Sequence, residues 1–488
     1  MEGRYILGID QGSTGTKVII VDSEGKIAAS AHRSVVSIIP RRDWLEHDAE
    51  HLWQTVAECI TECSKKFDFS RLRAIGITNQ RETAILWDRK TGRALSPAIS
   101  WQCTRSVGIT QRWAPLESEI DQRTGLNLHP YYSASKVAWL LENDPALRQR
   151  CESGEVCFGN VNSWILFRLT GEHLTDPTNA GRTMLFNVHE NCWDKTLLSG
   201  MDIPEAILPE VRPCGSFFGM ATEPREAFVK PVPVYGMIGD QMSALFGQAC
   251  FSRGEAKISL GTCLNLVCFT DHFEKRIKGI VPAIAWNGEH GLTYEMEGST
   301  YVAGAINEWL IGQLGIASSP AEVSELASQV PSSEGVYFVP AFRGLGTPYW
   351  DDDCRAEITG LSRFHDKRHV CRAALDGVAF QTSDIIRTFA EISVEIRTLK
   401  VDGGMAKSDF FMQDLANITG CRIERPANTD RTSMGAVYMA GLASGLWKDK
   451  EELREIWGRD RAFEPEDFPQ REELLAGWAN AVRKSRNL

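Results

Sequence analysis

The alternation of apolar and polar positions sets the first expectations. Residues 6–22 run Ile-Leu-Gly-Ile-Asp-Gln-Gly-Ser-Thr-Gly-Thr-Lys-Val-Ile-Ile-Val-Asp. β-Branched runs on either side of a Gly/Ser/Thr segment predict a strand, a tight polar turn and a second strand. Leu52, Trp53, Val56, Ala57 and Ile60 recur at helical spacing behind Asp48, predicting a helix over roughly residues 49–66 with Asp48 as its N-cap. Short strands are expected at 73–79, at 84–88 and near 98–103, followed by a mostly helical stretch from 105 to 200. Residues 231–240 read as a strand running into Gly239-Asp240, with a small-residue helix at 243–247. A second hairpin is expected over 256–269, then a strand entering the turn Asp402-Gly403-Gly404 and a helix over 410–418. From about Lys448 the pattern predicts one or two peripheral amphipathic helices.

Taken in order, the chain presents a hairpin and a strand–Gly–Asp–helix, then a hairpin and a strand–Asp–Gly–Gly–helix. This ordered duplication predicts two related α/β domains, residues 1–250 and 251–488, parting near 250–254 and facing one cleft where four glycine loops meet a phosphate. The length of 488 residues also exceeds what one core usually holds. In such sheets ligands bind beyond the carboxyl ends of the strands.

Composition narrows the class. Hydrophobic content of 43% and charged content of 24% are those of an ordinary soluble globular protein. A formal net charge of −11 argues against nucleic-acid or anionic-membrane partners. The sequence has no run of 18 apolar residues and no signal-peptide pattern after Met1, and its 13 cysteines are scattered without a CxxC pair. A cytoplasmic protein with buried thiols is expected.

The first turn carries candidate chemistry. Asp10 ends its strand, Ser13 and Thr14 offer hydroxyls, the glycines allow close backbone approach, and Lys17 supplies a cation. A carboxylate beside small donors and a positive charge suits a magnesium polyphosphate, although an ordinary surface hairpin has the same residue types. The spacing is neither GxGxxG nor GxxxxGK[ST], so neither a Rossmann nor a P-loop site is implied.

Two segments resemble the FGGY family of carbohydrate kinases: 131–142, reading Tyr-x-Ser-x-x-Lys-Val-x-Trp-Leu-x-Glu, and 356–376, with Ile358, Gly360-Leu361, His369-Val370 and Ala373-Ala374-Leu375-Asp376 in place. Within the family, the stretches 76–83, 101–103, 179–187, 239–241, 344–350 and 401–404 are most similar to the glycerol kinases and run in their order over nearly the whole chain. The resemblance implies two duplicated ribonuclease-H-like (actin-like ATPase) domains around a nucleotide cleft. It implies an enzyme that uses ATP and Mg²⁺ to phosphorylate a terminal hydroxyl of a small polyol, with glycerol expected first.

By the same resemblance, Asp240 accepts the hydroxyl proton, where on its own it would read as a helix cap. Asp10 positions Mg²⁺ through water. Ser13, Thr14, Lys17, Gly261 and Thr262 face the phosphates, and Gly304, Glu308, Gly403, Gly404 and Met405 flank the nucleoside. Arg81, Glu82, Asp240 and Gln241 hydrogen-bond the polyol, whose carbon chain lies against Trp101 and Tyr131. Without the resemblance, Arg81-Glu82 reads as a surface ion pair and Trp101 as core.

Three departures stand out. Lys17 replaces the family's usual arginine, keeping charge but not a bidentate grip. Met242 replaces a commonly polar neighbour of the Asp-Gln pair. Asn265 stands where glycerol kinases usually place a phenylalanine over the glycerol carbons, so a longer polyol or a ketose, such as a tetritol or pentulose, is an alternative acceptor. The segment from Thr222 to Val232 also lacks the glycine-rich loop through which some bacterial glycerol kinases bind fructose 1,6-bisphosphate. A non-catalytic actin-like ATP-binding protein is the reading from another class, and a homo-oligomer is compatible with the sequence.

Overall fold

The computed structural model describes residues 3–288 and 291–487. The chain divides into two units, each built on its own mixed sheet.

In the first unit the N-terminal hairpin forms as expected, β1 (Tyr5–Gln11) against β2 (Gly15–Asp22). An antiparallel β3 (Ile27–Ser34), not foreseen, extends it. Helix α1 (Ala49–Lys66) follows, with Asp48 accepting from the Glu50 and His51 amides. Its inner face, Leu52, Val56, Cys59, Ile60 and Cys63, is fully buried. The chain then adds β4 (Leu72–Asn79) parallel to β1, and much later β5 (Val232–Gly239) parallel to β4, before α2 (Asp240–Gly247). The order β3-β2-β1-β4-β5, with a short edge strand at Met220–Ala221, is the ribonuclease-H-like one.

Two expected strands lie outside this sheet. Ile85–Asp88 pairs with Val156–Gly159, and Ala98–Ile99 with Glu46–His47, each as a two-stranded antiparallel ribbon. Short segments like these satisfy their backbone groups locally. The helical stretch carries α-helices at Val107–Arg112, Glu117–Thr124, Ser133–Asn143, Pro145–Glu152 and Val161–Thr170.

The second unit repeats the plan. Hairpin β6 (Ala256–Leu260) and β7 (Leu264–Thr270) joins β8 (Val281–Gly288) and β9 (Gly291–Thr300) in one sheet. After the 24-residue helix α3 (Lys367–Ala390) come β10 (Thr398–Asp402), parallel to β6, helix α4 (Asp409–Thr419), and β11 (Arg422–Pro426), parallel to β10. The run β9-β7-β6-β10-β11 therefore matches β3-β2-β1-β4-β5, so the units are duplicated in strand order, but not turn for turn as the sequence suggests: β10, which enters Asp402-Gly403-Gly404, corresponds to β4, and β5, which enters Asp240, corresponds to β11.

The C-terminal region differs from expectation. After β11 the chain makes α5 (Arg431–Ala443), and residues 431–457, which the sequence reading assigns to the second domain, cluster with the first unit, as do residues 283–294. Helix α5 packs on α2 and across β5, β4 and β1. Approach is close enough that a Cβ on Gly435 would lie 1.8 Å from the Ser243 carbonyl oxygen. The stretch beyond Lys448 is not merely peripheral: β12 (Arg459–Phe463) pairs with β11, and α6 (Arg471–Ser485) buries Leu475, Trp478, Ala481 and Val482 in the second core. Large apolar side chains, rather than charge, decided that docking. The thiols are all free, with Cys192 and Cys263 exposed and the others buried, and among the described residues no helix is long and apolar enough to cross a membrane.

Candidate functional site

In the first unit, the carboxyl ends of three parallel strands lie level: Gln11 pairs with Asn79, and Asn79 with Gly239. Side chains from the segments that follow form a chain of contacts there. Asp240, the first residue of α2, sits 3.0 Å from Arg81 Nε in an ion pair whose guanidinium side is 3% exposed. The Gln241 amide donates to the same carboxylate oxygen, Oδ1, at 2.7 Å. Glu82, with φ of 60°, is buried and accepts from Arg182 Nε at 2.6 Å. Arg182 in turn lies over the Tyr131 and Tyr132 rings, at 5.8 and 5.2 Å. Tyr131 meets Trp101 edge-on with ring centroids 5.3 Å apart. Trp101 Nε1 donates to Ser13 Oγ at 2.9 Å, and Ser13 Oγ donates to Gln80 Oε1 at 3.3 Å. Asp240, Arg81, Glu82, Tyr131, Trp101 and Ser13, read from widely separated parts of the sequence, are thus brought together. Arg81 Nη1 also lies 3.4 Å from Met242 Sδ, which gives that departure a place beside the ion pair.

The turn holding Ser13 is fixed from below. Gln80 Nε2 donates to Gln11 Oε1 at 3.2 Å and to the Gly12 carbonyl at 3.3 Å. Ser13's hydroxyl proton is engaged by Gln80, whereas Thr14 is exposed at the turn's tip. Asp10 and Lys17 face one another across the β1–β2 ladder, and Asp10 Oδ2 accepts from Ser433 Oγ at 3.1 Å.

Beneath Tyr131 lies Lys136, fully buried, whose ammonium donates to the carbonyls of Pro130, Tyr131 and Tyr132. Burial pulls its pKa down to about 7, opposed by the nearby Glu82 carboxylate. Three donors meeting three carbonyls fix the backbone that carries Tyr131.

In the second unit a cavity of about 700 Å³ opens between the β6–β7 turn, the helix that begins at Ala305, and α4. Gly261 and Thr262, expected at the phosphates, line it together with Gly304, Glu308, Gly404 and Met405, expected around the nucleoside; Gly403 begins the turn but is not in the wall. The Gly304 amide donates to the Gly261 carbonyl at 2.7 Å, and a Cβ at Gly304 would lie 2.7 Å from that same oxygen, so only glycine fits the approach without movement. Leu375, Ile311 and Phe411 add apolar wall, and Ser324, Lys407 and Ser408 add polar atoms. A cavity of this size and mixed lining suits a flat heteroaromatic base with a polar sugar. Asn265 is not among its lining residues; its Nδ2 donates to Glu297 Oε1 at 2.6 Å, with Lys257 Nζ 3.5 Å from its Oδ1.

Sequence reasoning gave no role to Gln80, Lys136, Arg182 or Ser433. Lys136 and Arg182 stood inside stretches already singled out, but a role needs the partner, and only the fold supplies it. Ser433 lies 423 residues from Asp10 with no pattern linking them.

Residues 5–247 match the N-terminal domain, and residues 256–444 the C-terminal domain, of the FGGY family of carbohydrate kinases. The chain is 40% identical to a glycerol kinase of Oceanobacillus iheyensis and 41% identical to one of Carboxydothermus hydrogenoformans, covering 100% of this chain and 99% of each relative. Among solved structures, Plasmodium falciparum glycerol kinase with ADP is similar over 99% of this chain and 98% of that one, at 32% identity and a TM-score of 0.94. The fold, the two-part match and the full-length likeness place this chain in the FGGY family of carbohydrate kinases.

Proposed function

We propose that the protein transfers the γ-phosphoryl group of ATP to a terminal hydroxyl of glycerol, giving glycerol 3-phosphate and ADP. The observation that carries this reading is the contact chain Asp240–Arg81–Glu82–Arg182–Tyr131–Trp101 in one unit, in a chain about 40% identical end to end to glycerol kinases. A polyol needs fixed hydrogen-bond partners for its hydroxyls and a flat wall for its C–H face, and this arrangement offers both.

Asp240 is the general base. As the acceptor oxygen forms its bond to the γ-phosphorus and the bond to the ADP oxygen breaks, the hydroxyl proton passes to its carboxylate. Arg81 and the Gln241 amide anchor that carboxylate, so little reorganisation accompanies the transfer. Adenosine occupies the cavity of the second unit, with Thr262 toward the phosphates. In the first unit Thr14 and Lys17 are the phosphate-binding groups of the β1–β2 turn, and the Ser13 hydroxyl holds the Trp101 wall in place.

Magnesium fits the donor set through water. Asp10 is a half-buried carboxylate accepting from Ser433, and among the described residues no group of three or more His, Cys, Asp or Glu could cage an ion. Mg²⁺ characteristically keeps several waters and takes few protein carboxylates beside nucleotide phosphates. When bound, it neutralises charge on the transferring phosphate.

Asp240→Asn is expected to lower turnover by about 10³-fold, within the range a lost general base gives, with ATP affinity nearly intact. A coupled ADP-release assay and nucleotide titration check this, and retained activity removes Asp240 from the role. A longer polyol or ketose is the second reading. It rests on the Lys257–Asn265–Glu297 group, which is polar where an apolar wall would suit glycerol. Comparing kcat/KM for glycerol, tetritols and pentuloses decides: the first reading expects glycerol to rank highest.

A further inference from the structure

The general base does not stand on its ion pair alone. Asp176, fully buried, receives the Thr178 and Asn179 amides at 2.9 and 3.3 Å as the N-cap of the short helix Pro177–Ala180. It also receives Asn179 Nδ2 at 2.7 Å, Asn162 Nδ2 at 3.1 Å and the Thr178 hydroxyl. Capping needs only the first two. The others make this carboxylate the hub of a buried polar network in which its named donors are neutral.

Two arms leave the hub. The Thr178 hydroxyl gives its proton to Asp176 and so turns a lone pair outward, where it accepts the Gly239 amide at 2.8 Å, one residue before Asp240. Asn179 exchanges hydrogen bonds with Asn79 in both directions, at 2.9 and 3.2 Å, and Asn79 Nδ2 also binds the Gln80 carbonyl at 2.7 Å, one residue before Arg81. The backbones carrying both members of the Arg81–Asp240 pair are therefore tied to one carboxylate. Burial raises the Asp176 pKa, and the hydroxyl and amide donors pull it the other way.

We propose that Asp176 and Thr178 are positioning residues for phosphoryl transfer, acting on Asp240 through the Gly239 amide. The inference rests on the assignment of Asp240 as general base. The polarity of the relay matters: a carboxylate at 176 forces Thr178 to donate inward and accept outward, which a neutral group there would not. Displacement of a reacting group by about 1 Å can cost about 10²-fold in rate without touching substrate binding.

Thr178→Val keeps the shape and removes both hydrogen bonds. It is expected to lower kcat by about 10–100-fold, with the KM values for ATP and polyol little changed, while Thr178→Ser restores most of the rate. Hydrogen exchange at the Gly239 amide should quicken in the valine variant and not in the serine one. Should the valine variant fail to fold, Asp176→Asn, which keeps size and loses charge, is expected to lower kcat in the same way. A valine or asparagine variant as fast as wild type, or a serine variant no better than valine, overturns the proposal. Failure of the function itself is distinguishable: wild-type ADP release would then be independent of polyol, and an unaltered Gly239 exchange rate in the valine variant would still refute the relay.

Discussion

Arg182 and Glu82 are 5% and 1% exposed, so removing the guanidinium strands a carboxylate away from water. Arg182→Met is expected to cost about 3–5 kcal/mol of stability, the usual result of breaking a buried pair from one side, measurable by denaturant unfolding. It should also raise the KM for polyol, because the guanidinium packs against Tyr131. The roles of these residues were unequally visible in the sequence. Arg81, Trp101, Tyr131 and Asp240 combine the residue types a polyol kinase needs, and their family spacing pointed to them. Ser13 illustrates the limit: its type suggested a phosphate donor, yet its hydroxyl bridges Trp101 and Gln80. Hydroxyls form whichever bond the fold offers first, and sequence does not rank the offers.

At the scale of elements, hairpins and glycine turns were legible because turn chemistry and period-2 patterning are local. Strand β3 was not, although it turns straight back on β2, because Ile-Ala-Ala-Ser-Ala-His-Arg-Ser carries little apolar alternation; of the ribbons one strand each was legible, but not the pairing, whose partners lie at 156–159 and 46–47. Helix contacts are equally nonlocal. Because a Cβ at 435 meets backbone rather than a flexible side chain, Gly435→Ala should force α5 away from α2. A loss of about 1–3 kcal/mol is expected, with reduced turnover because α2 begins at Asp240. Helix α6 is held to α3 by Asp384, which accepts from Trp478 Nε1 at 2.7 Å and Tyr349 Oη at 2.8 Å. Burial pushes the Asp384 carboxyl up to about 6. A carboxyl whose folded pKa exceeds its unfolded one adds stability below about pH 4 and loses it as pH rises through about 6. Asp384→Asn should therefore gain on the wild type by up to about 3 kcal/mol between pH 4 and 7, read from unfolding curves at the two pH values.

For the whole molecule, the duplicated architecture was legible because the same strand–turn–helix order occurs twice, but the path of the chain through it was not. Residues 431–457 carry no signal that they complete the first unit, since small residues at helical spacing pack equally well on any close-fitting sheet. Val437, Ala436 and Ala440 lie against positions 8, 76 and 236 of three neighbouring strands. A chain ending at residue 430 would leave that sheet face uncovered. It is expected to aggregate on expression and to be recovered in soluble form when a segment of residues 431–488, which restores α5 together with β12 and α6, is co-expressed, which a sedimentation assay would show. The same feature bears on biosynthesis. The ribosome releases α5 only after nearly nine-tenths of the polypeptide has been made, so the N-terminal sheet, Asp10 among its strands, must wait in the nascent chain for its last layer. Folding of the catalytic half is thereby coupled to translation of the other half, and a stalled ribosome would display an open apolar surface to the cell's chaperones.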